Sequence, residues 1–208
     1  MDIHAPEGPV HSLKDFAMHI LIVTIGILIA LGLEGVREMV SAHRLVVEAR
    51  ENFRGEIAFD HEHMTLEMEN VKKMNSLGKK LIADLPGLAA KPEEMKARVD
   101  AIEAQGYFFS SSSWAAALSS GALAHMTSAE VNRYAAFDFI VHSYVGQQGR
   151  LLPQERELKA YVESRQRFGP EEMMETDEKL REFEMETDIM LNVGRQAQDT
   201  FGEALSGK

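Results

Sequence analysis

Apolar positions along this chain change their spacing twice, and each change marks a different kind of helix. From Phe16 to Leu33 the run FAMHILIVTIGILIALGL is uncharged and apolar on all sides. Its 18 residues amount to about 27 Å of helix, enough to cross a bilayer core. From Glu34 onward charge returns, and apolar residues fall in helical phase at Val46, Ala49, Phe53, Ile57, Met64, Val71, Met74, Gly78, Leu81 and Leu85. No proline interrupts the chain before Pro86, so the spanning helix is expected to run on into a long amphipathic one. Gly35 and Gly55 can bend it at a cost of about 1 kcal/mol each relative to alanine.

Punctuation then divides the remainder. Asp84-Leu-Pro-Gly87 reads as a turn, and Pro92 opens a short helix with Met95, Val99 and Ile102 on one face, ending at Gly106. Ser110 to Ser113 read as a polar loop, with Ser113 the N-cap of a helix WAAALSS that stops at Gly121. Thr127 and Glu130 have capping-box spacing, opening a helix with Val131, Tyr134, Ala135, Asp138, Val141 and Val145 inward. Gly146, Gly149 and Pro153 are expected to kink or split that helix, and Gly169-Pro170 to end it. A last helix from Glu171 places Met173, Leu180, Phe183, Thr187, Met190, Gly194, Ala197 and Phe201 at nearly heptad spacing. No convincing strand alternates anywhere. The expected fold is all-α: an N-terminal transmembrane helix continuing into a long amphipathic helix, then an antiparallel bundle. The divisions are a tail over 1–15, the spanning helix over 16–34, the bundle over 35–205 and a tail over 206–208.

Composition narrows the function classes. The chain has 208 residues and no cysteine, which excludes disulfides, thiolate metal sites and cysteine nucleophiles. A net charge of −11 argues against nucleic acid as a partner. Between Glu171 and Lys208 eleven acids face four bases, so the last helix carries much of the negative charge, as a solvated face or as a strip for a basic partner. Arg37, Arg44 and Arg50 follow the apolar run while Lys14 alone closely precedes it. The positive-inside rule then puts the large domain in the cytoplasm, with a periplasmic domain as the alternative. Ala30 and Gly32 have the small-x-small spacing of a cleavable signal. The leader, with Lys14 against Asp2, Glu7 and Asp15, lacks the basic character such signals carry.

Several residues invite chemistry. Within the span His19, Val23, Gly26 and Ala30 share one stripe, and Gly26 with Ala30 is a small-xxx-small pair suited to close helix approach. The stripe reads as a packing seam toward a membrane protein partner or a second copy. Glu56, Asp60, His63 and Glu67 fall on one face beside His61, and Asp60 with His63 has the i, i+3 spacing of ligands in carboxylate-bridged metal bundles. The second pair that chemistry needs has no good match, since Asp138 and His142 stand at i, i+4; solvated side chains or local ion pairs are the simpler explanation. Asp138 and His142 are a candidate buried polar pair. Tyr107, Phe108, Phe109 and Trp114 could line a ligand pocket or dip into the membrane interface, with core packing the default. Ser110 to Ser113 lack nucleophile-elbow glycines, and phosphate-loop and zinc-protease sequences are missing.

The segment HSLKDFAMHILIVTIGILIALGLEGVRE, His11 to Glu38, resembles the start of a family of uncharacterised bacterial single-pass membrane proteins. The stretch SSSSWAAALSSGALAHMTSAEVNRYAAF, Ser110 to Phe137, resembles that family's second half. The resemblance implies a bacterial inner-membrane protein anchored in lipid and supplies no catalytic residues. The expected function is a non-enzymatic, membrane-anchored helical interaction protein without a cofactor, serving as an accessory subunit or self-associating scaffold. A ligand-binding sensor-like domain and a carboxylate-bridged metal enzyme are the alternatives.

Overall fold

A single helix of 72 residues, α1 (Leu13–Asp84), dominates the computed structural model, which describes residues 13–104 and 106–206. It is followed by a 3₁₀ turn (Leu85–Gly87), α2 (Pro92–Asp100), α3 (Ser112–Ser120), a second 3₁₀ turn (Ala122–His125), α4 (Ser128–Glu163) and α5 (Pro170–Ser206). Most of residues 1–15 and residues 207–208 of the expected tails lie outside the described residues. The expectation of one rod joining span to bundle holds, unbroken through Gly35 and Gly55. Within it, the first part from Leu13 to Val40 is exposed throughout, whereas Val46 begins a buried stripe that continues to Leu81. One helix is thus long and apolar enough to cross a membrane, and the share of its apolar window that the fold covers is 0%.

The bundle is built on α5. Helices α1 and α4 each run antiparallel along it, while their own backbones stay apart. The α1–α5 register is read from Thr65 opposite Gln198, Asn75 opposite Thr187 and Lys79 opposite Glu184. Two glycines let these helices close: Gly78 faces the Phe183 ring, and at Gly194 an added Cβ would meet the Met68 sulfur. Phe53, Phe137, Tyr144, Phe183 and Phe201 are fully buried at the centre. The space between α1 and α4 away from α5 is filled by α2 against α4, by α3 and the second 3₁₀ turn against α1, and by the extended residues between them.

Four sequence expectations need correction. Helix α2 stops at Asp100 rather than Gly106; the Ile102 N–H closes on Val99 O, and the chain then extends because its polar groups are taken up by other helices. The N-cap of α3 is Ser111, not Ser113, and its side chain makes no cap bond. Of the kink or split expected at Gly146, Gly149 and Pro153, the split does not occur, since α4 is continuous; Gly149 stands four residues before Pro153, where the proline ring crowds the preceding turn. Its inner face is also rotated from the expected one: Phe137, Ile140, Tyr144, Leu151 and Leu158 are buried with Tyr134 and Val141, while Val145 is exposed and Val131, Ala135 and Asp138 are half-buried. The larger aromatic surfaces take the interior. The capping box at Thr127 and Glu130 forms as expected, Gly121 takes the left-handed conformation (φ 78°) that ends α3, and α5 begins at Pro170.

Candidate functional site: buried carboxylates beneath an extended strap

Ala101 to Ala104 and Gly106 to Ser111 belong to a strap that lies in the gap between α1 and α4 and runs antiparallel to both. An extended segment inside a helical bundle has no ladder to satisfy its backbone groups, and leaving them unpaired would cost of the order of a few kcal/mol each. Side chains of the two flanking helices supply partners. Glu155 accepts from Ala104 N at 3.3 Å, Gln148 donates to Tyr107 O at 3.3 Å, and Asp60 accepts from Ser110 N at 3.3 Å. Asp138 accepts from the Ser111 hydroxyl at 2.7 Å.

Glu56 completes the series at the start of α3. Its carboxylate accepts from Ser112 N at 2.9 Å, from the Ser112 hydroxyl at 2.6 Å and from Ser113 N at 2.9 Å. A carboxylate from α1 therefore caps α3 in place of the serine side chain, at the helix end where negative charge is favoured. Burial pushes Glu56 up, but the bonds from Ser112 and Ser113 outweigh it and hold the group below its usual value.

Asp60 and Glu67 behave differently because they are almost sealed, at 1% and 2% exposure. Burial raises Asp60 to about 7, aided by the nearby charge of Glu56 and opposed by the Ser110 N–H and His63. Burial likewise raises Glu67 to about 7 against the Gln148 amide, the main chain at Tyr107 and the Tyr144 hydroxyl. Glu67 Oε1 accepts from Gln148 at 3.2 Å. Its Oε2 and the Tyr144 hydroxyl make no hydrogen bond of good geometry, yet they act on each other. Burial, then the Glu67 charge, drive the Tyr144 hydroxyl well above the usual tyrosine value.

The metal candidates are not brought together as ligands. Asp60 turns inward to the strap, while His63 Nδ1 pairs with Phe59 O at 2.8 Å and its ring packs against Phe59 and Tyr107. Among the described residues no group of three His, Asp or Glu side chains could hold a metal ion. Asp138 and His142 do meet, at 3.2 Å, but His142 is exposed and Asp138 serves Ser111. Phe109 is buried, Tyr107 and Trp114 are packed against the core, and Phe108 is exposed at 91%. In the span, His19 Nδ1 pairs with Asp15 O at 3.0 Å, within its own helix. Val23 is exposed and nothing lies near Gly26; Ala30 is exposed on the same stripe.

Sequence reasoning missed Gln147, Glu155 and Glu186 as interior residues. Gln147 donates to Glu186 across the α4–α5 interface and receives Arg150. Gln147 stands three residues after Tyr144, Glu186 three after Phe183 and Glu155 four after Leu151, helical spacings that carried the signal, masked by polar identity. Compared with models of protein families, with curated proteins and with solved structures, the chain matches none.

Proposed function

We propose that this protein is a non-enzymatic, membrane-anchored interaction protein, in which α1 both crosses the membrane and forms a wall of a helical bundle. One observation carries the reading. The apolar first part of α1 has no covering element, yet the same helix continues without a break into the bundle core. Such a surface is stable in lipid and not in water, and an unbroken helix fixes the bundle relative to it. The raised carboxylates point the same way, since Asp60 and Glu67 are engaged in holding the strap rather than facing an open cleft.

On this reading the anchor sits in a bacterial inner membrane, the bundle stands on the side of Arg37, Arg44 and Arg50, and the His19–Gly26–Ala30 stripe meets a membrane protein partner or a second copy. Extraction of the tagged chain from its native membranes in mild detergent, followed by mass measurement, tests it. A stoichiometric complex dispersed by Gly26→Leu is expected; a lone monomer would sink the proposal.

A further inference from the structure

The first turn of α4, the last turn of α5 and the part of α1 around Arg50 enclose a groove of about 320 Å³. Its charge runs against that of the molecule: Arg50, Arg54 and Arg133 line it, in a chain of net charge −11. Arg50 is committed to Glu130 at 2.7 Å, and Glu130 is further held by the Thr127 cap. Arg54 and Arg133 have no ion pair or hydrogen bond among the described residues, although Glu51 stands on the same rim. Arg54 and Arg133 thus bring guanidinium groups without an anionic partner to a rim that Arg50, neutralised by Glu130, shares.

Tyr134 adds an independent observation. It is 8% exposed and its ring is stacked on Phe53 at 3.8 Å, which fixes the side chain. Its hydroxyl has no hydrogen-bond partner among the described residues, and it lies within the opposing fields of Glu130 and of Arg133, Arg50 and Arg54. The hydroxyl is not sealed in the interior, and the groove is the cavity that Tyr134 lines.

We propose that this groove binds a small phosphate-bearing anion, gripped by Arg54 and Arg133, with the Tyr134 hydroxyl as a further donor. Two guanidinium groups and a hydroxyl match the three terminal oxygens of a phosphate better than the two of a carboxylate. The ligand is a soluble one. On the reading that Phe16 to Leu33 spans the membrane, Arg54 stands roughly 30 Å of helix beyond the lipid, out of reach of headgroups for an upright rod. Only the choice of source rests on that reading; the site itself does not.

Titration of the purified full chain in neutral detergent with inorganic phosphate and with pyrophosphate, followed by calorimetry and phosphorus NMR line width, tests the proposal. Saturable binding is expected, weakened about tenfold or more in the Arg54→Gln, Arg133→Gln double variant and less in Tyr134→Phe, which keeps the stacked ring. Absence of saturable binding by either probe would overturn it. So would unchanged affinity in a double variant that melts earlier without ligand, which would assign the arginines to the carbonyl end of α5. Vesicles of phosphatidylglycerol in neutral lipid separate the sources: arginine-dependent vesicle binding without phosphate binding would overturn the soluble ligand. None of these results bears on whether the anchor recruits a partner.

Discussion

Asp60 holds the strap with a carboxylate that is half protonated near neutral pH, because burial raises it from 3.8 to about 7. Glu67, one heptad further along α1, is raised by burial to about 7 as well. Between their unfolded values and about 7 the folded protein binds more protons than the unfolded chain. This contribution to stability is therefore complete below about pH 4 and lost as pH rises through about 7. Glu130 has the opposite sign: the bond from Arg50, against a small burial effect, holds it at about 2. Its contribution is present above about pH 4.5 and lost as pH falls toward 2. A melting-temperature profile should thus peak in the mildly acidic range and decline toward pH 8. Asp60→Asn keeps an acceptor for Ser110 N–H and removes the titration, so it should be more stable than the parent at pH 8 by on the order of 3–4 kcal/mol, with little difference near pH 4. Equal slopes in the two proteins would show that Asp60 does not titrate in this range.

At the scale of elements, two contacts across sequence decide the packing. Gly194 on α5 lies against Met68 on α1, and a Cβ there would collide with the methionine sulfur and lie 3.2 Å from the Tyr144 ring. Gly194→Ala should destabilise the bundle by about 1–3 kcal/mol, and Met68→Ala in the same chain should recover part of that loss, measured as a coupling energy in a double-mutant cycle. Glu56 is the second contact. Replacing it with Ala removes the acceptor for both backbone N–H groups that open α3, and should cost about 1–2 kcal/mol with exchange protection lost first at Ser112 and Ser113.

The long helices were legible because their periodicity is carried by large apolar residues: Phe53, Ile57, Leu180 and Phe201 lie where the spacing placed them, in the core. The Thr127 capping box was legible because its partners are three residues apart. The strap was not. Its bonds join Ala104 to Glu155 and Ser110 to Asp60 across about fifty residues, and no local pattern marks a carboxylate that will serve a distant backbone N–H. Asp60 falls in the core phase between Ile57 and Met64; its partner could only come from tertiary structure. The α4 interior was misplaced for a related reason, since Gln147 and Glu155 interrupt the apolar stripe that would have fixed its phase.

For the whole molecule, α1 joins an apolar segment without cover to a bundle held by the same helix, so on the proposed reading, in which that segment spans a membrane, position along one rod sets height above it. Ala83, exposed near the far end of α1, is fifty residues beyond Leu33 and should stand roughly 75 Å from the lipid if the helix is upright. Ser41, exposed near the start of the bundle, should stand roughly 12 Å away. The absence of cysteine makes single labels at Ser41→Cys and Ala83→Cys unambiguous. In vesicles carrying an acceptor lipid, energy transfer should be strong from Ser41→Cys and near zero from Ala83→Cys. Strong transfer from both would mean that α1 bends and lays the bundle on the membrane, where Arg54 and Arg133 come within reach of headgroups. Weak transfer from both would remove Phe16 to Leu33 from the lipid altogether. Height along α1 thus separates an upright scaffold, whose far end is presented to partners away from the membrane, from a bundle that works against the bilayer surface.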